Sequence, residues 1–177
     1  MLFATSSTNH HVLYNHYVVA KKASAANIPY GNFTQTLQFS ASSRTITKES
    51  EIRWQIMIDL AYGCSRVQYF TFVSPIEWAG DSYKQEGLVD FYGEPTERYY
   101  FAQNVNRTIA SMDEAYLNYK WIDTLLVDGN DSTGNMAFDM IREESPKSVA
   151  GLNSISGSLD TIVGQFDSKV DGNKGYM

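Results

Sequence analysis

The hydrophobic positions change period several times along the chain, and each change marks an element. Between His10 and Asn27, the residues Val12, Leu13, Tyr17, Ala20 and Ala23 recur at roughly helical spacing. Lys21 and Lys22 sit near the end that the helix dipole makes negative, and Asn27 before Ile28-Pro29 supplies a stop. From Tyr30 to Phe39 the chain alternates instead. Tyr30, Asn32, Thr34, Thr36 and Gln38 interleave with Gly31, Phe33, Gln35, Leu37 and Phe39, which predicts a strand with one face polar enough to line a barrel interior or a site. A polar linker, Ser40 to Thr47, leads to a second helix. Thr47 is its expected N-cap, Glu49 and Glu51 favour its positive end, and Ile52, Ile56, Met57, Leu60 and Ala61 form its apolar stripe. Gly63 is the expected left-handed stop. Arg66 to Val73 is apolar and aromatic nearly throughout, as for a strand covered on both faces. The three segments make a strand–helix–strand unit, the building block of parallel α/β folds, whose functional groups gather at the carboxyl ends of the strands.

Beyond this unit the texture changes twice. Ser74 to Glu97 reads as a long loop carrying Glu77, Trp78, Asp81, Glu86 and Asp90, and a loop of that length is usually functional. A helix is expected from Pro95 to Tyr119, with Tyr99, Ala102, Val105, Ile109 and Met112 as its stripe. After Trp121 come short strand-like runs, IDTLLVDG, SVAGLNSI, TIVGQF and NKGYM, separated by Gly, Asp, Asn and Ser. They predict a small antiparallel β module with a turn at Val170-Asp171-Gly172-Asn173. The expectation is a second domain that starts near Lys120 and is cut short at Met177.

Composition narrows the partners. The chain has 177 residues, 43% hydrophobic and 19% charged, which is globular and enough for one domain or one and a part. A net charge of −6 and a pI near 5.0 come without a basic patch and disfavour nucleic acid. No run approaches the ~18 apolar residues of a membrane helix. The start, MLFATSSTNHH, lacks the basic residues and apolar run of a signal peptide, which leaves a secreted or a cytoplasmic parent equally open. His10, His11 and His16 are poorly spaced to share a metal, and the single cysteine, Cys64, reads as a buried structural thiol. Gly151 to Gly157 lacks the lysine of a phosphate-binding loop. No cofactor is implied. Aromatic residues make up 14% of the chain and tyrosine leads them with 12. Their flat faces and hydroxyls suit carbohydrate contacts, but for any single tyrosine packing in a β-rich core is the reading placed first.

Four segments in order, IPYGNFTQTLQF, DLAYGCSRVQYFTF, EGLVDFYGEPTERYYFAQNVNRTI and the β-like tail, resemble the C-terminal third of the β-galactosidase-like clan of glycoside hydrolases. The resemblance covers roughly residues 10 to 177 and rests on AYG-x-x-x-x-QYFTF with GLVDFYGEPT. It implies an α/β fold, namely a partial (β/α)8 (TIM) barrel holding the last two or so βα units. Residues 1–119 would be the barrel portion and 120–177 the start of a truncated β-sandwich accessory domain. The family's general acid would lie upstream of this sequence. Its nucleophilic glutamate would fall in Phe33-Thr34-Gln35-Thr36, where there is no carboxylate, whereas retaining hydrolysis needs two about 5 Å apart. No catalytic residue is therefore assigned. Glu77, Glu86 or Asp90 could be recruited from the loop, or form a solvated face. The resemblance leaves a carbohydrate-binding wall. Gln35 and Gln38 offer amides for sugar hydroxyls, and Phe70, Phe72 and Trp78 offer stacking faces, with Phe72 similar to the position where many of these enzymes place a tryptophan. Alternation puts Gln68, Phe70 and Phe72 on one face, the expected barrel interior. The alternatives are a carbohydrate-binding pseudoenzyme and a free-standing α/β interaction domain. Exposed barrel edges would favour self-association and poor solubility.

Overall fold

A computed structural model describes residues 10–38, 45–75, 86–127, 129, 155–156 and 158–177. In chain order the elements are helix α1 (His10–Ala26), strand β1 (Gly31–Gln35), helix α2 (Glu49–Ala61), strand β2 (Arg66–Phe70), helix α3 (Glu97–Ala110), the short helix α4 (Asp113–Leu117) and strands β3 (Tyr119–Val127), β4 (Thr161–Ser168) and β5 (Lys174–Tyr176). The class is mixed α/β. β1 and β2 pair in parallel, Gly31 opposite Arg66 through Gln35 opposite Phe70, with α2 as the crossover. β3, β4 and β5 form a separate antiparallel sheet in that order.

The crossover helix is set by its own sequence. Its N-cap is Lys48, one residue later than the expected Thr47, because the Glu51 carboxylate reaches back to accept from the backbone N–H of both Thr47 (2.7 Å) and Lys48 (3.0 Å). At the far end Gly63 has φ +85° and donates its N–H to the Leu60 carbonyl. Ile52, Ile56 and Leu60 pack with Ile46 and Val105, and Val67 and Tyr69 close over them from the sheet. Met57 from the expected stripe is only half-buried, whereas Glu51, Gln55 and Asp59 are buried.

A second cluster joins α1 and the end of α2 to the antiparallel sheet. Leu13, Tyr17 and Ala20 of α1 meet Ile58 and Tyr62 at the end of α2, and Trp121 of β3 and Phe166 of β4. Trp121 Nε1 donates to the Ala61 carbonyl (3.2 Å), and Thr124 Oγ1 donates to the same oxygen (2.9 Å). The antiparallel sheet therefore shares a core with the helices. Gly164 makes the approach feasible: any Cβ there would collide with the Ala61 carbonyl oxygen.

The helix expected over 95–119 is two helices. Ser111 caps α3, its hydroxyl bonding the Thr108 carbonyl (2.7 Å), and α4 begins at Asp113. Tyr119 belongs to β3 because it pairs with Ser168, while Lys169 holds the Leu117 and Asn118 carbonyls and pulls the chain out of helix. The expected turn after β4 is present, with Gly172 at φ +73°, and the last strand pairs with β4. The SVAGLNSI run lies, but for Ile155, outside the described residues.

The close approach at Gly164 yields a prediction. Gly164→Ala forces the second sheet off α2 and should cost about 2 kcal/mol or more, read as a lower urea midpoint. A change within about 0.5 kcal/mol would show that the sheet is not seated on Ala61.

Candidate functional site

The site-bearing end of a parallel pair is its carboxyl end, here Gln35 to Gln38 and Phe70 to Val73. The two faces of this pair differ sharply. On one, Asn32, Thr34, Val67 and Tyr69 turn toward the helices; Asn32 Nδ2 reaches the Asp59 carboxylate on α2 (3.0 Å) and Thr34 is fully buried. The polar set of the β1 alternation therefore serves packing against α2. On the other, no described element covers Phe33 (65% exposed), Phe70 (45% exposed) and Gln68. Phe33 and Phe70 meet edge to face, ring centroids 6.2 Å apart.

The expected ligand residues are dispersed. Gln35 is opposite Phe70 in register but is buried, and its amide donates to the Leu37 carbonyl (2.9 Å), so the side chain braces the chain after β1. Gln38 is half-buried, its amide oxygen accepting from Thr45 Oγ1 (3.1 Å). Phe72 does not share the face of Phe70. β2 ends at Phe70, and strand alternation is not carried past that point. Phe72 instead lines a groove of about 500 Å³ against α3 with Tyr69, Leu88, Tyr99, Ala102 and Asn106. Trp78, Glu77 and Asp81 lie outside the described residues. Phe33 is the residue that sequence reasoning passed over. The register that sets it beside Gln68, next to Phe70, is the signal that finds it.

Of the described loop carboxylates, Asp90 acts in folding, while Glu86 meets Arg98 Nε through its backbone carbonyl (2.9 Å). Asp90 accepts from the backbone N–H of Tyr92 and of Glu94 (both 2.8 Å), building the turn before α3. Thr96 at the α3 N-cap gives its hydroxyl to the Gly87 and Leu88 carbonyls. Segment 87–89 in turn bonds to Thr71 and Phe72, Val89 N–H to the Phe72 carbonyl at 2.8 Å, and extends the sheet beside the end of β2.

The opposite, amino end of the pair holds a cavity of about 250 Å³ lined by Tyr30, Tyr62, Tyr116, Tyr119, Trp121 and Phe166. Two of its hydroxyls are engaged in the frame, Tyr30 donating to the Tyr62 carbonyl (2.6 Å) and Tyr116 lying 2.9 Å from the carbonyls of both Leu60 and Cys64, whereas the buried Tyr62 hydroxyl meets no hydrogen-bond partner among the described residues. Behind it, His16 Nε2 and Asn32 Nδ2 converge on one Asp59 oxygen, at 2.7 and 3.0 Å. Among the described residues, no three His, Cys, Asp or Glu side chains are grouped to hold a metal, and the side chains of His10 and His11 lie outside them.

No protein family, curated protein or solved structure matches this chain.

Burial shapes the titration of this end. Desolvation, helped by the Asp59 carboxylate, pushes the Cys64 thiol up to about 12; burial lifts the Tyr69 phenol to about 12 and pushes those of Tyr30, Tyr62 and Tyr116 well above the usual range. In each case the folded state holds its proton longer than the unfolded chain, whose thiol and phenols titrate near about 8.5 and 10. The stabilisation is complete below those values and is lost as pH rises toward about 12. Denaturant midpoints should therefore fall steadily above about pH 9, with Cys64 resisting a thiol reagent until the protein unfolds. A flat alkaline profile with a rapidly labelled native thiol would contradict this.

Proposed function

We propose that this chain supplies the last two strands of a (β/α)8-barrel wall in a glycoside-hydrolase-like protein, and that the wall binds carbohydrate without catalysing its hydrolysis. The observation that supports the reading best is that no described element lies over the Phe33–Phe70 face of the parallel pair. Parallel sheets are normally covered on both sides, and a pair this small gains little by leaving two phenylalanines in water. A pyranose presents an apolar C–H face that suits the Phe33–Phe70 pair, and the Gln68 amide can donate to or accept from its hydroxyls. The outer face of β1–β2 carries no carboxylate, so the two-carboxylate route has no nucleophile on this wall.

The pseudoenzyme reading differs only in what the rest of such a protein would contain. The free-standing interaction domain draws support from the shared core around Trp121 and Phe166, yet it requires covered apolar faces, which Phe33 and Phe70 do not meet. In the absence of a saccharide, the same face is the natural surface for self-association.

Binding should be sought with a panel of soluble oligosaccharides, following amide shifts of Phe33, Gln68 and Phe70. Phe70→Ala and Phe33→Ala should each weaken binding about tenfold or more, since stacking of this kind is worth about 1–2 kcal/mol. Aryl-glycosides should not be turned over. Shifts confined to other surfaces, or rapid hydrolysis by the chain alone, would overturn the proposal.

A further inference from the structure

Strand β1 has an outer edge, and a buried side chain already occupies part of it. Successive N–H groups of a strand point in opposite directions within the sheet. The Thr36 N–H points to β2, where it meets the Phe70 carbonyl (3.0 Å). The Gln35 N–H therefore points away from β2, toward the place a further strand would take. There it donates to Gln55 Oε1 (2.8 Å), and Gln55 Nε2 donates back to the Gln35 carbonyl (3.2 Å). One amide thus satisfies both backbone groups of one strand residue, the exchange that a hydrogen-bonded neighbour in an antiparallel pair would make. A further bond from Gln55 Nε2 to the Glu51 carbonyl (3.2 Å) fixes which end of the amide faces which group, and Gln55 is fully buried on α2.

We propose that Gln55 is a plug of the β1 edge, standing in for a strand at Gln35 and so keeping the edge from pairing with a second copy of this chain. The reading is independent of any ligand on the Phe33–Phe70 face, and in the barrel proposed above it leaves a neighbouring strand only the Gly31 and Phe33 rungs of this edge. By the same alternation Gly31 and Phe33 also turn their N–H groups outward, and no described residue meets them. Two outward amides are too short a stretch for a stable ladder, and adding Gln35 to them makes a continuous edge three rungs long. A second copy is the fitting occupant, because its own β1 offers the same outward N–H and C=O groups, and an isologous pairing satisfies both at once.

Hydrogen exchange of the intact 177-residue chain tests the plug without any substitution. The Gln35 amide should exchange at least about tenfold more slowly than that of Phe33, whose neighbouring edge is open. Equal rates would overturn the proposal. Sedimentation then tests its consequence. Gln55→Leu keeps the volume and removes both bonds, and should lower the dissociation constant for self-association at least about tenfold. Ile56→Val, which trims the adjacent core position without touching the edge, should leave that constant unchanged. If Gln55→Leu associates no more tightly than the original chain, or Ile56→Val associates equally tightly, the edge is not what Gln55 guards. If Gln55→Leu does not fold, the exchange comparison alone decides.

Discussion

The structure depends on a row of buried polar residues along one helix. Glu51, Gln55 and Asp59 stand four residues apart on α2, one above the next, and all three face inward. A polar group buried without a partner is costly, so each must be satisfied by something the fold brings to it. Glu51 takes the backbone donors of its own N-terminus, Gln55 takes the edge of β1, and Asp59 takes His16 from α1 and Asn32 from β1. Both His16 ring nitrogens face oxygen atoms, Val12 O and Asp59 Oδ1, each at 2.7 Å. Apolar packing with Ile52, Ile56 and Leu60 holds α2 to the sheet, but it does not fix how far α2 slides along β1. Gln55 and Asp59 do, because their partners on β1, the Gln35 backbone and the Asn32 amide, are met at one register only.

This row also explains what could be read from the sequence and what could not. The bounds of α1 and α2 and the existence of the two parallel strands were legible, because helical and alternating periods and the Gly63 stop are local signals, but both strands end earlier than the expected Phe39 and Val73, at Gln35 and Phe70. Periodicity counts apolar residues, so a polar residue on a helix is assigned to water by default. Nothing in ESEIRWQIMIDLA marks Glu51, Gln55 and Asp59 as inward while half-exposed Met57 reads as core. The break at Ser111 was equally hidden, since the strand pairing of Tyr119 and the carbonyl contacts of Lys169 come from residues some fifty positions away.

The candidate site follows the same division. Phe70 and the sided character of β2 were legible from alternation, while Phe72 was placed on the wrong face because β2 ends before it. Gln35 looked like a ligand amide and instead braces Leu37, while the backbone of the same residue receives the Gln55 plug. Among the described residues no element lies over one surface of the parallel pair, and the two phenylalanines on it are what a carbohydrate-binding reading rests on.

Asp59 is the member of the row that ties three elements together, at 2% exposure, and its removal is the most direct test of the account. Equilibrium unfolding of Asp59→Ala should show a loss of about 3–5 kcal/mol, the cost of stranding a buried partner, or outright failure to fold. Parallel loss of the near-ultraviolet signal of Trp121 should accompany it, because α1 and the second sheet share the cluster behind the junction. A variant that unfolds within about 1 kcal/mol of the original chain, with that signal intact, would contradict the claim that the polar row sets the register of the fold.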